Sequence, residues 1–234
     1  MGINTNRLYD IAHALGTDVS LRINDIVSNF KAETTDGPID FYDWAGGSWV
    51  ALFSHPKDFT PVCTTELAAM AALQPEFQKR DCKIIGLSVD TVADHIRWRP
   101  DIEKTAGVKL TYPLIADTDL RIAKSFDMLP ADAGESSKMR TEVNNATVRS
   151  VFVICPAKRV RMMQTYPMNA GRNFDEILRM VDALQLSDRH NVATPANWRN
   201  GDEVIIPTTV TDEEARARYP DGWRMVTPYL RFVE

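Results

Sequence analysis

The chain's candidates for covalent chemistry are three cysteines, Cys63, Cys82 and Cys155, and four histidines, His13, His55, His95 and His190. An odd, sparse set of cysteines is not a disulfide framework. There is no C-x-x-C pair, and no histidine stands at zinc-finger spacing from a cysteine, so neither a metal nor a cofactor is expected. Such cysteines suit a reducing compartment, where a thiol is either structural or reactive. Cys63 has the most suggestive surroundings. Thr60 and Pro61 precede it, and Leu67, Met70, Leu73 and Phe77 recur after it at helical spacing. Thr60 fits an N-cap and Pro61 the first helical position. Cys63 then lies in a first helical turn, where amides lack partners and the helix dipole is positive. Both favour a thiolate. Pro56 and Pro61 keep backbone donors off one side of the loop. On these residues alone, a reactive cysteine and an inert one packed as a small hydrophobe both stay open.

The elements that must position this loop follow from patterning. The apolar run Trp49 to Phe53 reads as a strand ending at His55-Pro56, and Cys82 to Val89 as a second buried strand. Pro75 is expected to kink or end the helix between them. A helix is expected over 92–105, a short strand over Leu114–Ala116 and a helix near 118–126. Strands over Thr147–Ile154 and Val160–Tyr166 flank a tight hairpin at 155–159. Asn173-Phe174-Asp175-Glu176 resembles a capping box, and Ile177, Met180, Val181 and Leu184 follow on one face. Alternating strand–helix units with a late hairpin predict an α/β fold of thioredoxin type, a mixed sheet between helices. A short helix over 5–16, with Leu8, Ile11, Ala12 and Leu15 on one face, belongs to an N-terminal extension of residues 1–20. The main domain is expected over 21–185. Residues 186–234, with Pro195, Pro207, Pro220 and Pro228, form a small C-terminal extension domain. It is expected to hold no core of its own and to pack on the main domain or at a subunit interface.

Composition excludes several classes. With 234 residues, 44% hydrophobic and 25% charged, the chain is neither disordered nor fibrous. No apolar run approaches a membrane span. A net charge of -5 argues against a nucleic-acid partner. The N-terminus has no apolar signal core and pairs Asp10 with Arg7, so a cytoplasmic location is expected.

The segment His55-Pro56-Lys57-Asp58-Phe59-Thr60-Pro61-Val62-Cys63-Thr64-Thr65-Glu66 resembles the peroxidatic segment of peroxiredoxins, Pro-x-x-x-Thr-x-x-Cys. Tyr166-Pro167 followed by Gly171-Arg172-Asn173-Phe174-Asp175-Glu176 resembles a signature of the one-cysteine subfamily. So does the tail from Trp198-x-x-Gly201-Asp202 to Tyr229-Leu230-Arg231. The likeness runs from about residue 21 to 232. Ala170 departs from it, standing where a threonine is usual. The resemblance implies reduction of hydrogen peroxide or organic hydroperoxides through a sulfenic acid on Cys63. It implies donors from the Thr60 hydroxyl, the Cys63 amide and Arg149, an arginine that interrupts an apolar strand. Glu66 then orients Arg149, or is a solvated first-turn glutamate. Arg172 adds a second guanidinium or supports the hairpin. His55 shapes the pocket or is a satisfied structural histidine.

No cysteine follows Cys155, whereas two-cysteine relatives carry a resolving cysteine near the C-terminus. An external thiol, glutathione or a thioredoxin-like protein, is therefore implied as reductant. The family further implies a homodimer, with a decamer as the higher assembly. The phospholipase activity credited to some relatives is not expected. Ser48 has a counterpart, but Val50 replaces a motif glycine, and Tyr42 and Ala157 occupy the histidine and aspartate positions. The rival readings are a holdase built on the same fold and a Cys–His acyl hydrolase with His55 as base, for which no orienting acid stands out.

Overall fold

A short antiparallel pair, β1 (Lys31–Ala32) and β2 (Ile39–Asp40), opens the computed structural model, which describes residues 20–130 and 146–234. The helix expected over 5–16 lies outside the described residues. Asp40 caps α1 (Phe41–Ala45) through the Asp43 amide. These three elements are too short to leave a periodic signal and have no counterpart among the expected ones. The chain divides into two compact units, Met1–Phe174 and Asp175–Glu234.

In the first unit, β3 (Trp49–Ser54) is the middle strand of a five-stranded sheet ordered β5–β4–β3–β6–β7. It pairs in parallel with β4 (Cys82–Ser88), which pairs in parallel with β5 (Leu114–Ala116). On its other side it runs antiparallel to β6 (Arg149–Ile154), which runs antiparallel to β7 (Val160–Tyr166). Every residue of β3 and β6 is buried, as a strand covered on both faces requires. Alternate residues divide between the faces: Val50 and Leu52 join Ile85, Leu87, Ile115 and Phe152 in one cluster with Phe41 and Phe126. Phe53 points the other way and meets Tyr112 and Phe174 edge-on, with centroids 5.9 and 5.8 Å away. Burying each large side chain of this kind contributes roughly 1.5–3 kcal/mol. Gly86 is required by close packing, since a Cβ there would stand 2.6 Å from Leu114 Cδ2.

Helix α2 (Pro61–Lys79) follows β3, with Thr60 at the N-cap and Pro61 in the first turn. Of the two outcomes expected at Pro75, a kink or an end, the helix does not end there. Pro75 lies on the exposed face of the helix, while buried Gln74 and Phe77 on either side of it anchor the turn. Helix α3 (Val92–Ala106) starts at a Thr91/Asp94 capping box and stops at Gly107 in the left-handed region, φ 71°. Helix α4 (Arg121–Ser125) is shorter than expected; Asp117 caps it by accepting the amides of Ile122 and Ala123.

Helix α5 (Phe174–His190) begins directly after Asn173, where the capping pattern places it. Ile177 and Val181 are buried, whereas Met180 and Leu184 are only partly so. A boundary at 185 would cut this continuous helix. Ala183 instead shares a cluster with Val192, Trp198 and Val204, which assigns the helix to the tail unit. That unit does hold apolar clusters of its own. A second one joins Ile206, Val210 and Ala215. Its sheet has the order β8 (Val204–Ile205), β10 (Leu230–Val233), β9 (Arg224–Thr227), with α6 (Asp212–Arg218) between β8 and β9 in sequence. The tail residues of the one-cysteine resemblance serve this unit. The Trp198 indole donates to the Asp202 carbonyl at 3.1 Å, Gly201 takes φ 101°, and buried Arg231 donates to Asp212 and to the Pro207 and Val210 carbonyls.

Candidate active site

The site forms where β3 and β6 deliver the loop before α2 and the first residue of β6 to the same end of the sheet. Cys63 is fully buried in the first turn of α2. The Thr64 amide is the first to bond back along the helix, to the Thr60 carbonyl at 3.0 Å, so the Cys63 amide has no partner within the helix. Arg149 Nη1 stands 3.4 Å from Cys63 Sγ and 2.6 Å from Glu66 Oε2. Arg149 Nε and Nη2 both donate to the Met168 carbonyl, at 2.8 and 2.6 Å, which fixes the guanidinium plane.

Glu66 lies one turn beyond Cys63, on the same helical face. It is buried and accepts from two arginines rather than facing solvent. Arg172 meets its carboxylate through the backbone amide at 2.8 Å, Nε at 2.9 Å and Nη2 at 2.7 Å. Arg172 Nη1 donates to the Ser150 carbonyl, and the guanidinium lies over Phe53 and Phe174, 5.3 and 5.2 Å from the ring centres. The question left open for Arg172 thus has a geometric answer: it grips Glu66, which grips Arg149. Burial pushes the Glu66 carboxyl up, but the hydrogen bonds and charge of Arg172, then the charge of Arg149, outweigh it and hold the group below the ordinary range. Burial lowers Arg172 despite the raising pull of Glu66. Two buried guanidiniums against one carboxylate leave an excess of positive charge beside Cys63 Sγ.

Thr60 sits at the N-cap, but its hydroxyl hydrogen goes to the Lys57 carbonyl at 2.9 Å. It therefore has lone pairs left to offer, in place of the donor that the resemblance implies. Pro56 is buried within the same loop. His55 is fully buried; its Nε2 bonds Asp58 Oδ1 at 2.8 Å, and its Nδ1 has no partner among the described residues. Burial, the largest influence, keeps His55 below its ordinary value, against the raising pull of Asp58.

The sequence assigned no role to Asp58, to the Met168 carbonyl or, beyond counting it among four histidines, to His95. His95 lies 37 residues from Asp58, and only the fold brings them together. His55, Asp58 and His95 place one donor atom each within 4.8 Å, a spacing a metal could share. Those atoms already bond one another at 2.6 and 2.8 Å, so the cluster is internally satisfied there. Asp58 supplies the orienting acid for His55 that the sequence did not reveal. Even so, a guanidinium, and not an imidazole, bonds the sulfur. At the position of the phospholipase motif, Ser48 donates to the Asp81 carboxylate at 2.7 Å and Tyr42 donates to the Val27 carbonyl, and no imidazole bonds either residue among the described residues.

Cys82 and Cys155 lie at the far end of the sheet. Cys82 pairs in register with Trp49, and Cys155 follows Ile154, the partner of Val50, whereas the site gathers beyond Phe53, opposite Val151. At about 3.3 Å per residue, several residues of strand separate them from Arg149. Burial also pushes the Cys82 thiol up to about 12.

Residues 23–163 match the AhpC/TSA family, and residues 183–222 match the C-terminal domain of 1-Cys peroxiredoxin. The chain is 49% identical over 211 residues to the 1-Cys peroxiredoxin of Dictyostelium discoideum, covering 90% of this chain and 84% of that protein. It is 50% identical over 215 residues to the mitochondrial peroxiredoxin PRX1 of Saccharomyces cerevisiae, covering 92% and 81%. The solved yeast mitochondrial 1-Cys peroxiredoxin superposes with a TM-score of 0.84 at 50% identity, over 91% of this chain and 99% of that one. The solved peroxiredoxin 6 of Arenicola marina gives 0.84 at 40% identity, over 92% and 98%.

Proposed function

The chain belongs to the AhpC/TSA family, in its 1-Cys peroxiredoxin branch, and from that premise we propose that Cys63 is the peroxidatic cysteine, served by Thr60, Arg149 and Glu66. The enzyme is a thiol-dependent peroxidase that draws on an external thiol reductant. Its substrates in this reading are hydrogen peroxide and organic hydroperoxides. The Cys63 thiolate attacks one peroxide oxygen in line with the O–O bond. A sulfur–oxygen bond forms, the O–O bond breaks, and the departing oxygen takes a proton and leaves as water or alcohol. Thr60, its own hydrogen spent on Lys57, accepts the O–H of the attacked oxygen. Arg149 and the Cys63 amide face the charge as it moves from sulfur to the leaving oxygen.

The observation that carries the reading is Arg149 Nη1, held by Glu66 at 2.6 Å and placed 3.4 Å from the sulfur. Single-turnover oxidation tests it: Cys63→Ser should consume no peroxide while keeping its fold, because serine supplies no comparable anion at neutral pH. Substantial remaining turnover would overturn the assignment.

The yeast mitochondrial relative is resolved via glutathione/thioredoxin systems, which supports glutathione or a thioredoxin-like protein as reductant here. Comparing the two as electron donors in steady-state turnover decides between them. We also infer a homodimer, with a decamer as higher assembly. Among the described residues β7 is an edge strand of its sheet beyond Val160, which bonds Asn24 and Asp25, and Met163 is exposed on it; the C-terminal unit is the second candidate for a subunit interface. Sedimentation measures the assembly. No helix among the described residues is long and apolar enough to cross a membrane. We place the enzyme in the cytoplasm, in contrast with its mitochondrial yeast relative; imaging a C-terminal fusion checks this.

A further inference from the structure

The loop that carries Thr60 is held from behind by a buried cluster that the reaction itself does not use. Asp58 lies at its centre, almost wholly buried, with His55 Nε2 on one oxygen and His95 Nδ1 on the other, at 2.8 and 2.6 Å. Both rings are fully buried. The other nitrogen of His95, Nε2, lies 3.1 Å from the Ile115 carbonyl. A carbonyl can only accept, so Nε2 carries a hydrogen. An ionised carboxylate can only accept as well, so Nδ1 carries another. His95 is then hydrogen-bonded at both ends as a cation.

We propose that His95 is an imidazolium which, paired with the Asp58 carboxylate, clamps the loop 55–60 and so positions Thr60 and Cys63 for attack on peroxide. Asp58 and His95 are positioning residues: neither touches the reacting sulfur. The clamp ties three elements together: the loop after β3, helix α3 through His95, and strand β5 through Ile115. Further ties converge on the same loop. The Asp58 amide donates to Asp90 at 2.9 Å, the His55 amide to the Leu87 carbonyl at 2.9 Å, and the Thr147 hydroxyl to the His55 carbonyl at 2.8 Å.

The loop needs such restraint. Phe59, between Asp58 and Thr60, takes φ 56°, the left-handed region that a bulky residue rarely enters. Backbone of this kind persists only where its surroundings over-determine it. The Phe59 ring lies over the Arg97 guanidinium at 5.1 Å and beside buried Trp98 at 6.0 Å, both on α3 next to His95. The titratable groups around the clamp are His55 and Asp58 in the loop, Asp90 in the β4–α3 connection, and Asp94 on α3. Asp58 stays low, to about 2: burial raises it, and the bonds from His55 and His95 more than reverse this. One imidazolium then balances Asp58, while His55 stays neutral, its hydrogen on Nε2.

The inference rests on Cys63 being the reacting cysteine, and its test keeps the two apart. The first measurement uses the wild-type full chain without peroxide: nitrogen-15 NMR of the histidine rings at neutral pH. His95 should show hydrogens on both ring nitrogens, and His55 a hydrogen on Nε2 alone. A bare nitrogen on His95 would overturn the clamp, whatever Cys63 does. The second measurement uses Asp58→Asn. Asparagine offers one acceptor oxygen and one donor amide, so one of the two imidazoles meets a donor. Peroxide kcat/KM should fall about 10²-fold, as for a misplacement near 1 Å. Alkylation of Cys63 by iodoacetamide needs only the thiolate, and should keep its rate and pH profile. An equal loss in both reactions, or no loss in either, would mean that Asp58 does not position the loop. Should the variant not fold, the ring spectrum still decides. Retained turnover in Cys63→Ser would instead unseat the cysteine assignment and leave the ring result standing.

Discussion

In the proposed reading, Arg149 is both a structural risk and a catalytic device. A buried guanidinium without partners is costly, and this one spends its donors on Glu66, the Met168 carbonyl and the Cys63 sulfur. Arg149→Met removes the donor but keeps much of the bulk. Peroxide kcat/KM should fall roughly 10²–10³-fold, the range for one strong preorganised donor. A change of only a few-fold in stopped-flow oxidation would leave Arg149 a packing residue. His55 yields a different prediction at this scale. Burial keeps its folded value below the ordinary one, so the unfolded chain, with a pKa of about 6.5, binds a proton that the folded chain refuses. The unfolded state then holds more protons, and stability must fall as pH drops below about 6.5. Urea midpoints measured from about pH 6.5 down to 5 should decline, and His55→Gln should flatten that slope. A midpoint that rises on acidification would contradict the buried neutral ring.

Among the elements, the central strands do the positioning. β3 ends where the loop carrying Thr60 begins, and β6 starts with Arg149, so antiparallel pairing of these two strands sets guanidinium against sulfur. Helix α2 then places Cys63 and Glu66 one turn apart. The close contact between β4 and β5 at Gly86 supports this frame. Gly86→Ala would drive a methyl group into Leu114 Cδ2 and within 3.2 Å of the Phe53 ring. Overpacking of this kind costs about 1–3 kcal/mol. Denaturant unfolding should show that loss, and because Phe53 lies under Arg172, peroxide kcat/KM should also fall. An unchanged midpoint would show that the Leu114 side chain yields freely.

In the molecule as a whole, the cysteines are kept apart. Cys63 lies at one end of the sheet, Cys82 and Cys155 at the other. A disulfide needs Cα atoms within about 7 Å. One equivalent of peroxide should therefore add one oxygen per chain, trappable by dimedone, with no intrachain disulfide. A large excess should add further oxygens on the Cys63 peptide alone, since no resolving thiol intercepts the sulfenic acid. Intact-mass and peptide mass spectrometry read both results. Loss of two hydrogens after one equivalent would reveal a hidden resolving partner.

The sequence by itself determined what is local. The five sheet strands, the helix behind Thr60 and Pro61, and the first-turn place of Cys63 all follow from periodicity and capping, which act over a few residues. Family resemblance added Arg149, Glu66 and the absence of a resolving cysteine. Only the tertiary structure decided what depends on distant contacts. Helix α2 passes through Pro75 because its buried neighbours hold the turn. Arg172 grips Glu66 as well as the hairpin carbonyl of Ser150 because the chain folds residue 172 onto residue 66. The Thr60 hydrogen is turned toward Lys57. The tail gains clusters of its own from Trp198 and Val204, which no period in the sequence links. His95 reaches Asp58 from another helix. Hydrogen bonds and burial pair groups by their distance in space, and that distance is set by sheet order and register, neither of which is written in any short stretch of sequence.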